Sequence, residues 1–498
     1  MTERYILALD QGTSSSRALL FDRRGTPIAA AHAPLSQTFP RPGWVEQDAV
    51  ELWHSQRAAM HQCLTRAGMR LGDVAAIAVA NQRETTVVWH RQTGQPVYNA
   101  IAWQCRRTAP ECEALEQQGI GRLIQEKTGL RLDPYFSGTK LAWILQHVEG
   151  AREAAENGDL MFGTVDSWLI FNLTGGRAHL TDASNASRTL LYNIHSLTWD
   201  ADILSLLKIP DAILPRVVDS SGVAAYTDET IFGAAVPIAG IAGDQQAALF
   251  GNGCFTAGTA KNTYGTGCFL LMNTGAKPVV SESGLLTTVA WQRAGQVQYA
   301  LEGSVFMAGA AVQWLKDGLG IIEAAEDTES VAESVANTGD VYVVPAFVGL
   351  GAPYWDPHAR GAVVGLTQGT SRAHIIRAVL EAIAHQTADV VEAMNQDSGY
   401  DLAVLRTDGK AISNRFLAGF QADILGIPIV RPRVAETTAL GAAFLAGLAV
   451  GVFESLEDVS AAIQSADVLD PAMEADERSL RRRRWAEAVN RARGWAPL

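Results

Sequence analysis

The first thirty residues alternate between short apolar runs and polar turns that contain glycine. Apolar residues dominate positions 5–9, 17–21 and 27–31, and Gly12 and Gly25 lie in the turns between them. Runs of this length, separated by such turns, are typical of antiparallel strands with tight connections. The pattern therefore predicts a three-strand meander at the start of the chain.

The following segments change from a helix pattern to a strand pattern. Asp48 is a candidate N-cap for a helix, and Gly68 marks the end of that helix. A wholly apolar strand at 75–80 comes next and leads into a polar loop at 81–86. Short buried strands interleaved with helices indicate an α/β fold.

A similar arrangement recurs past the middle of the chain. A glycine-containing turn at 263–267 precedes three apolar runs and a helix pattern. These lie at 268–272, 285–291, 297–301 and about 304–316. The recurrence predicts an internal duplication of one α/β unit. Small residues around Asn252 separate the two copies, so we expect one domain at 1–251 and a second at 252–498.

Two features near the C-terminus have both a structural and a functional interpretation. The longest apolar run, 439–453, is rich in glycine and alanine and falls short of the roughly 20 residues that cross a bilayer. We interpret it as a tightly packed buried helix. The run from Arg481 to Arg484 is interpreted as the solvated face of a C-terminal helix, and a site for phosphate or a partner is the alternative.

The composition narrows the class of protein. The chain has 498 residues, 48% of them hydrophobic, and a formal net charge of −13, which fits two or three domains with large cores. The negative charge disfavours a nucleic-acid partner. The five cysteines lack CxxC spacing and no leader pattern opens the chain, so we expect a reduced, cytoplasmic protein without a zinc site. Seven of the 40 cationic residues are lysines. Because lysine is rare in this chain, a lysine within a candidate site is of special interest.

The segment from Asp10 to Arg17 is the strongest local candidate for phosphate binding. Its glycine permits close approach to an anion, its hydroxyls and Arg17 are donors, and Asp10 is a ligand type that magnesium prefers. The same residues also suit an ordinary hairpin, and the segment alone does not separate the two. The second turn, at 263–267, favours phosphate binding, because two such turns can clamp one polyphosphate between two domains.

Asp244 follows an apolar strand and lies beside the expected domain boundary. A carboxylate at a strand end in an interdomain cleft is well placed to accept a proton from an attacking hydroxyl. The alternative is that Asp244 is the N-cap of the short helix that follows it. The local sequence leaves both interpretations open.

Several longer motifs make the chain resemble the FGGY carbohydrate kinases over nearly its full length. They are LDQGT at 9–13, GWVE at 43–46, NQRETT at 81–86, WQCRR at 103–107, DPYFSGTK at 133–140, GDQQAALFG at 243–251 and GLGAPYWDP at 349–357. Two family signatures also fit, at 135–147 and 361–381. The resemblance implies two RNase-H-like domains of the actin and hexokinase type, with ATP and Mg²⁺ in the cleft between them.

The resemblance also implies a role for each matching residue. Asp244 would be the general base and Asp10 a magnesium ligand. The acceptor, glycerol, would contact Arg83, Glu84, Trp103, Tyr135, Asp244, Gln245 and Phe269. The nucleotide site would include Thr13, Ser14, Ser15, Arg17, Thr266, Gly309, Gln313, Lys410 and Asn414. The implied reaction is in-line phosphorylation of glycerol to sn-glycerol 3-phosphate by a cytoplasmic homodimer or homotetramer.

One position in the nucleotide segment departs from the family pattern, because Lys410 stands where members usually carry glycine. A side chain there is strained if the backbone needs a positive φ, and its ammonium is otherwise able to reach the phosphates. We therefore expect an altered nucleotide site in an intact kinase fold. Two alternatives follow: a kinase for another small polyol or sugar, and a regulatory protein with impaired nucleotide binding.

Overall fold

The computed structural model describes residues 4–463 and 465–496. The sequence predicts no leader peptide at the start of the chain. Residues 1–3, on which that prediction falls, lie outside the described residues. The strands are β1 (Ile6–Gln11), β2 (Ser15–Phe21), β3 (Pro27–Pro34), β4 (Glu46–Gln47), β5 (Ala76–Asn81), β6 (Val87–His90), β7 (Ala100–Ile101), β8 (Leu160–Gly163), β9 (Leu180–Asp182), β10 (Tyr192–Asn193), β11 (Thr198–Trp199), β12 (Arg216–Val218), β13 (Ser221–Tyr226), β14 (Pro237–Gly243), β15 (Ala260–Tyr264), β16 (Cys268–Gly275), β17 (Leu286–Arg293), β18 (Gln296–Val305), β19 (Tyr342–Val344), β20 (Ala362–Val364), β21 (Leu405–Asp408), β22 (Ile429–Pro432) and β23 (Ser465–Leu469).

The helices connect these strands and cover the sheets. They are α1 (Ala49–Ala67), α2 (Ala109–Gln117), α3 (Ile120–Thr128), α4 (Ser137–His147), α5 (Ala151–Glu156), α6 (Val165–Leu173), α7 (Ala183–Ala186), α8 (Ala201–Leu207), α9 (Glu229–Phe232), α10 (Asp244–Gly251), α11 (Gly309–Asp317), α12 (Asp327–Glu333), α13 (Arg372–Ser398), α14 (Arg415–Leu425), α15 (Thr437–Ala449), α16 (Leu456–Ala462) and α17 (Ala475–Ala492). This interleaving of strands and helices confirms the α/β class.

One mixed sheet of thirteen described strands runs through both halves of the chain. Its order is β23-β22-β21-β15-β16-β18-β17-β13-β14-β5-β1-β2-β3. At one end, β1, β2 and β3 pair antiparallel in sequence, so the predicted meander is confirmed. On its other side β1 pairs in parallel with β5, and β5 pairs in parallel with β14.

The second half repeats this hairpin with a different continuation. β15 pairs antiparallel with β16 and in parallel with β21, as β1 does with β2 and β5. The next neighbour of β16 is β18, and β17 lies beyond it. The predicted helix start at residue 304 is wrong, because Ser304 and Val305 belong to β18 and pair with Phe269 and Cys268 of β16.

Two predicted helices of the chain are confirmed. The Oδ1 of Asp48 accepts a hydrogen bond from the backbone N–H of Val50 at 2.7 Å, and Gly68 ends α1 with φ +68°. α15 is buried along nearly its whole length and packs against β1, β5 and β14 of the first half. None of the helices in the described part of the chain is long and apolar enough to cross a membrane.

The arginine run lies on α17, and two of its members do not face solvent. The Nη1 of Arg481 donates to Glu381 at 3.2 Å, and the Nη2 of Arg482 donates to Asp389 at 2.6 Å. Both carboxylates are buried on α13. The interpretation of the run as a solvated face is therefore wrong for these two arginines, since they attach α17 to α13.

Candidate active site

Three parallel strands bring the polar segments of the first half to one edge of the sheet. Gln11 at the end of β1 and Gly243 at the end of β14 are both register partners of Asn81 at the end of β5. The carboxyl ends of neighbouring parallel strands are where α/β folds bind ligands. The turn after β1, the loop after β5 and Asp244 therefore leave the sheet side by side.

Arg83 lies in a buried ion network that extends into the second half. Its Nη1 and Nη2 both donate to the carboxylate of Glu302 on β18, the Nη2–Oε1 distance being 3.0 Å. The Nη2 of Arg188 donates to the same Oε1 at 3.0 Å, and its Nε donates to Glu84 at 2.6 Å. Burial favours the neutral form of Glu302, but Arg188 and Arg83 overcome this and lower its pKa. The network fixes Arg83 from two directions.

Glu84 has an unusual backbone conformation for a residue with a side chain. Its φ is +62°, in the left-handed region that favours glycine. Its carbonyl accepts hydrogen bonds from the Oγ of Ser137 at 3.0 Å and the Nζ of Lys140 at 3.3 Å. Such strain persists where surrounding contacts enforce it, and it concentrates at functional sites. The Glu84 carboxylate is thereby held in the arginine network.

Asp244 is the first residue of α10, and the N-cap is Gly243. The N-cap alternative for Asp244 is therefore wrong. Its Oδ1 accepts the N–H of Gln245 at 2.7 Å and lies 3.2 Å from the Nε of Arg83. The Asp244 side chain is 28% exposed, whereas that of Arg83 is 2% exposed. Burial raises the pKa of Asp244, and Arg83 and Lys261 oppose that rise.

Three half-buried aromatic rings of the expected acceptor set lie together. The ring centroids of Trp103 and Tyr135 are 5.6 Å apart, and those of Trp103 and Phe269 are 6.4 Å apart, both edge-on. The Nε1 of Trp103 donates to the Oγ1 of Thr13 at 3.0 Å. Trp103 thus joins the expected acceptor residues to the first predicted phosphate turn.

Lys261 is a buried cation that sequence reasoning missed. It lies on β15, and its Nζ donates to the Oε1 of Gln245, to the Oγ1 of Thr263 at 2.7 Å and to the carbonyl of Phe269 at 3.2 Å. Burial lowers its pKa to about 8. Gln245 and Phe269 both belong to the expected acceptor set, so Lys261 lies directly behind that set.

The two predicted phosphate turns have exposed tips. In the first, the N–H of Gly12 donates to the carbonyl of Ser15 at 3.0 Å, and Ser14 is exposed. In the second, Thr266 is exposed, and its carbonyl accepts the N–H groups of residues 308 and 310, at the start of α11. Arg17 is about half exposed and pairs with Glu436 at 3.2 Å. The hairpin and phosphate interpretations of the first turn are compatible.

Asp10 fits the chemistry of a magnesium ligand. Burial raises its pKa to about 7; Arg17 opposes this rise, and Asp244 adds to it. A cation beside Asp10 would relieve the cost of keeping this carboxylate ionised. The described residues contain no cluster of three His, Cys, Asp or Glu side chains suited to a metal. Mg²⁺ often takes one or two carboxylates together with substrate phosphates, so a single carboxylate such as Asp10 is compatible with that donor set, and its magnesium role stays a prediction.

The remaining expected nucleotide residues lie on α11 and before α14. Gly309 begins α11, and Gln313 is exposed one turn later, with its Nε2 donating to Asp317 at 2.5 Å. Asn414 caps α14, its Oδ1 accepting the N–H of Leu417 at 2.9 Å. These contacts place the three expected residues at helix starts and on an open helix face, and their nucleotide roles stay predictions.

Lys410 does not have the strained backbone that was considered for it. Its φ is −67°, which every residue type adopts. The left-handed residue is Gly409, with φ +93°, and a Cβ there would overlap the backbone of Tyr264. The Nζ of Lys410 lies 3.4 Å from Glu326, and both side chains are exposed. The condition for strain at Lys410, a positive φ, is therefore not met, because the position that requires glycine is Gly409 and it keeps glycine.

Four residues behind the site were given no role from the sequence: Lys140, which was noted only as part of a family signature, Arg188, Lys261 and Glu302. Two of them are among the seven lysines, and both are fully buried. The scarcity of lysine was therefore a usable signal, because a residue type that is rare in the chain and occurs in or next to a recognised segment is a candidate for a specific role. No local pattern marks Arg188 or Glu302, since their contacts depend on tertiary structure.

Two family models match the chain. The model for the N-terminal domain of the FGGY family of carbohydrate kinases matches residues 5–251, and the model for the C-terminal domain matches residues 260–450. Among curated relatives, the chain is 58% identical over 492 residues to glycerol kinase 2 of Thermotoga maritima, covering 99% of both chains. It is 59% identical over 496 residues to the glycerol kinase of Symbiobacterium thermophilum, covering 100% of both.

Solved structures give the same family. The chain superposes on the glycerol kinase of Plasmodium falciparum, solved with ADP, with a TM-score of 0.93, 35% identity and 98% of both chains covered. A ligand-bound xylulose kinase of Lactobacillus acidophilus has a TM-score of 0.88 at 22% identity, with 98% and 97% covered. The second likeness shows the fold alone. The expected two-domain α/β kinase fold is confirmed.

Proposed function

Because this chain belongs to the FGGY family of carbohydrate kinases, we propose that it transfers the γ-phosphoryl group of ATP to glycerol. The products are sn-glycerol 3-phosphate and ADP. The relatives that match the whole chain at 58% and 59% identity are glycerol kinases. The observation that carries the proposal is the pair of a buried Arg83 and a partly exposed Asp244, 3.2 Å apart.

Asp244 is the general base of the proposed reaction. It accepts the proton of a terminal hydroxyl of glycerol while that oxygen forms a bond to the γ-phosphorus. The bond from the γ-phosphorus to the bridging oxygen breaks in line, and that oxygen leaves with ADP. A base works best when its pKa lies near the operating pH, and burial raises the pKa of Asp244 in that direction.

The acceptor residues suit a small polyol. Each hydroxyl of glycerol both donates and accepts, so the Glu84 carboxylate and the Arg83 guanidinium offer complementary partners. Trp103, Tyr135 and Phe269 supply apolar faces against the carbon chain and exclude water. The alternative, a kinase for another polyol or sugar, is tested by comparing the specificity constants for glycerol, erythritol and xylulose.

The phosphates of ATP are assigned to the two turns. The backbone and hydroxyls of the turns at residues 12–15 and 265–267, whose tips Ser14 and Thr266 are exposed, provide donors for a polyphosphate together with Arg17. When bound, Mg²⁺ would neutralise phosphate charge as the transition state develops, and Asp10 is the protein ligand we assign to it. Gly309, Gln313 and Asn414 complete the proposed nucleotide site.

Other properties follow from the family and are proposals for this chain. All five cysteines are free and buried, which suits a reducing cytoplasm.

We assign the acceptor pocket and first turn to a domain at residues 1–251 and the nucleotide site to a domain at 252–498. The proposed assembly is a homodimer or homotetramer, which analytical ultracentrifugation tests directly.

The proposed activity is tested with purified protein, ATP, Mg²⁺ and glycerol, with ADP and glycerol 3-phosphate both measured. Asp244→Asn should lower kcat by about 10²–10⁴-fold, the usual contribution of a general base, with an unchanged melting temperature. Asp401→Asn, at an exposed position, is the matched control and should behave as wild type. Absence of product from the wild type, or wild-type turnover by Asp244→Asn, would contradict the proposal.

A further inference from the structure

The Lys261 ammonium has all of its hydrogen bonds committed to the protein. An ammonium has three donors and no acceptor. The three donors of Lys261 are taken by Gln245, Thr263 and Phe269, and the side chain is fully buried. Lys261 therefore has no N–H left for a bound phosphate or hydroxyl. Any effect of Lys261 on a ligand must pass through the groups that it holds.

The pleat of the sheet explains how Lys261 reaches these three acceptors. Lys261 and Thr263 are two residues apart on β15, so their side chains share one face. Thr263 is the register partner of Phe269 on β16, which brings the Phe269 carbonyl to the same place. Gln245 arrives from α10, in the first half of the chain. Lys261 thus joins the first turn of α10 to the strand that leads into the second phosphate turn.

The contact fixes which end of the Gln245 amide faces Lys261. Because the ammonium only donates, the amide must present its oxygen, and Oε1 accepts from Nζ. The Nε2 of Gln245 makes no hydrogen bond to another residue in the described ranges. By contrast, the neighbouring amide of Gln246 is bound at both ends, accepting from Arg83 and donating to Thr288. Of these two amides, Gln245 is therefore the one whose Nε2 is available to donate to a ligand.

We propose that Lys261 is a positioning residue that holds Gln245 with its oxygen inward, so that Nε2 donates to a hydroxyl oxygen of the bound acceptor. The inference rests on the proposed function, because it takes Gln245 as part of the acceptor site. It deepens that function by giving the site one donor of fixed orientation beside the base Asp244. Asp244 accepts the proton of the reacting hydroxyl, whereas the Nε2 of Gln245 can only donate a hydrogen bond to the acceptor.

The charge on Lys261 is maintained without a directly paired carboxylate. Burial lowers its pKa to about 8, and Asp408, Asp244 and Glu302 partly counter that effect at longer range, while Arg83 adds to it. At neutral pH most of the molecules therefore keep the ammonium form. The inward orientation of Gln245 is accordingly the ground state of the site under ordinary assay conditions.

The sharpest test is Gln245→Glu, because it leaves Lys261 and the shape of the side chain in place. A glutamate keeps an oxygen for Lys261 but puts an oxygen where the amide had its donor. We expect the KM for glycerol at saturating ATP to rise at least tenfold, with the melting temperature retained or raised. A KM within twofold of wild type would overturn the proposal, because it would mean that an oxygen suits the acceptor at this point.

A double-mutant cycle tests whether Lys261 acts through Gln245. Lys261→Met should raise the KM for glycerol more than it lowers kcat, and Lys261→Met combined with Gln245→Met should be no worse than Gln245→Met alone. Additive effects would overturn the positioning role. Lys277→Met, at an exposed lysine, is the control and should match wild type. If Lys261→Met does not fold, Lys261→Gln, which keeps a polar group at this position, takes its place in the cycle with the same expected outcome.

Calorimetric titration of glycerol without nucleotide provides a readout that does not depend on turnover. Gln245→Glu should weaken glycerol binding by the same factor as its KM rises. If the wild type does not phosphorylate glycerol, both the proposed function and this inference are contradicted. If the wild type phosphorylates glycerol and Gln245→Glu binds glycerol as tightly as the wild type, the inference alone is contradicted.

Discussion

The guanidinium of Arg83 and the carboxylate of Glu302 form a two-pronged ion pair between the two halves of the chain. Arg83 follows β5 in the first half, Glu302 lies on β18 in the second, and both are buried. Because both Nη atoms are engaged by Glu302, the Nε of Arg83 is the atom that faces Asp244 at 3.2 Å. A residue of the second half thus sets the orientation of the arginine beside Asp244, the proposed base.

Removing the charge of Glu302 should therefore damage both stability and acceptor binding. In Glu302→Gln, Arg83 and Arg188 keep their burial but lose the carboxylate that they share, and breaking a buried pair in this way costs about 3–5 kcal/mol. We expect a loss of this size in urea unfolding and a drop in kcat/KM for glycerol of at least tenfold. Glu282→Gln, at an exposed glutamate, is the control. A loss below about 1 kcal/mol, the range of an exposed pair, would contradict the role assigned to Glu302.

Substitutions at the adjacent residues Gly409 and Lys410 should distinguish the effect of backbone strain from that of side-chain charge in the predicted nucleotide segment. Lys410 has an ordinary backbone and pairs with Glu326 at the surface, where ion pairs contribute about 0–1 kcal/mol. Lys410→Gly should accordingly leave the KM for ATP within about fivefold of wild type, since a difference of about 1 kcal/mol corresponds to that factor. A larger fall in KM would revive the idea that this lysine hinders the nucleotide.

Gly409→Ala is the companion variant and should have the opposite outcome. The φ of Gly409 is +93°, and an added Cβ would overlap the backbone of Tyr264. The turn after β21 must then shift, which displaces the segment that leads to Asn414. We expect a clear rise in the KM for ATP or a fall in melting temperature. Wild-type values for both would show that this turn is not held as tightly as the structure indicates.

The features that the sequence predicted well are those set by local pattern. Apolar runs located β1, β5 and β14, and their polar continuations placed Asp10, Arg83 and Asp244 at strand ends. The parallel pairing of these strands then brings the three residues to one edge of the sheet. Hydrophobic periodicity carries this information because it reflects which face of each strand is buried.

The features that were missed depend on contacts between distant segments. Taken alone, Arg83 and Glu84 look like a surface pair, and burial with Glu302 emerges only when β18 inserts between β16 and β17. The same insertion explains the wrong helix start, since Ser304 satisfies a strand partner rather than a helix cap. Phe269 and Ser304 are 35 residues apart in the chain, and Arg83 and Glu302 are 219 apart. No local sequence pattern specifies pairing over such separations.

Lys140 is a second buried lysine whose charge state should respond to pH. Its Nζ donates to the carbonyls of Tyr135 at 2.7 Å and Glu84 at 3.3 Å. Burial lowers its pKa to about 7, which Glu84 and Asp133 counter and Arg107 reinforces. The folded pKa is thus below the unfolded value of 10.5, so the unfolded chain binds more protons between these two pH values. Stability contributed by this group must therefore rise with pH in that window.

Lys140→Met removes this titration and allows it to be measured by difference. From pH 7 to pH 9 the free energy of unfolding of the wild type should rise relative to that of Lys140→Met by about 2 kcal/mol, because about half of the effect of the pKa difference falls in that interval. Urea unfolding at both pH values measures the change, and Lys316→Met, at an exposed lysine, should show none. Titrations common to all three proteins cancel in the comparison. A difference that does not vary with pH would mean that Lys140 keeps an ordinary pKa, and that its two carbonyl contacts hold a permanently charged ammonium behind Glu84.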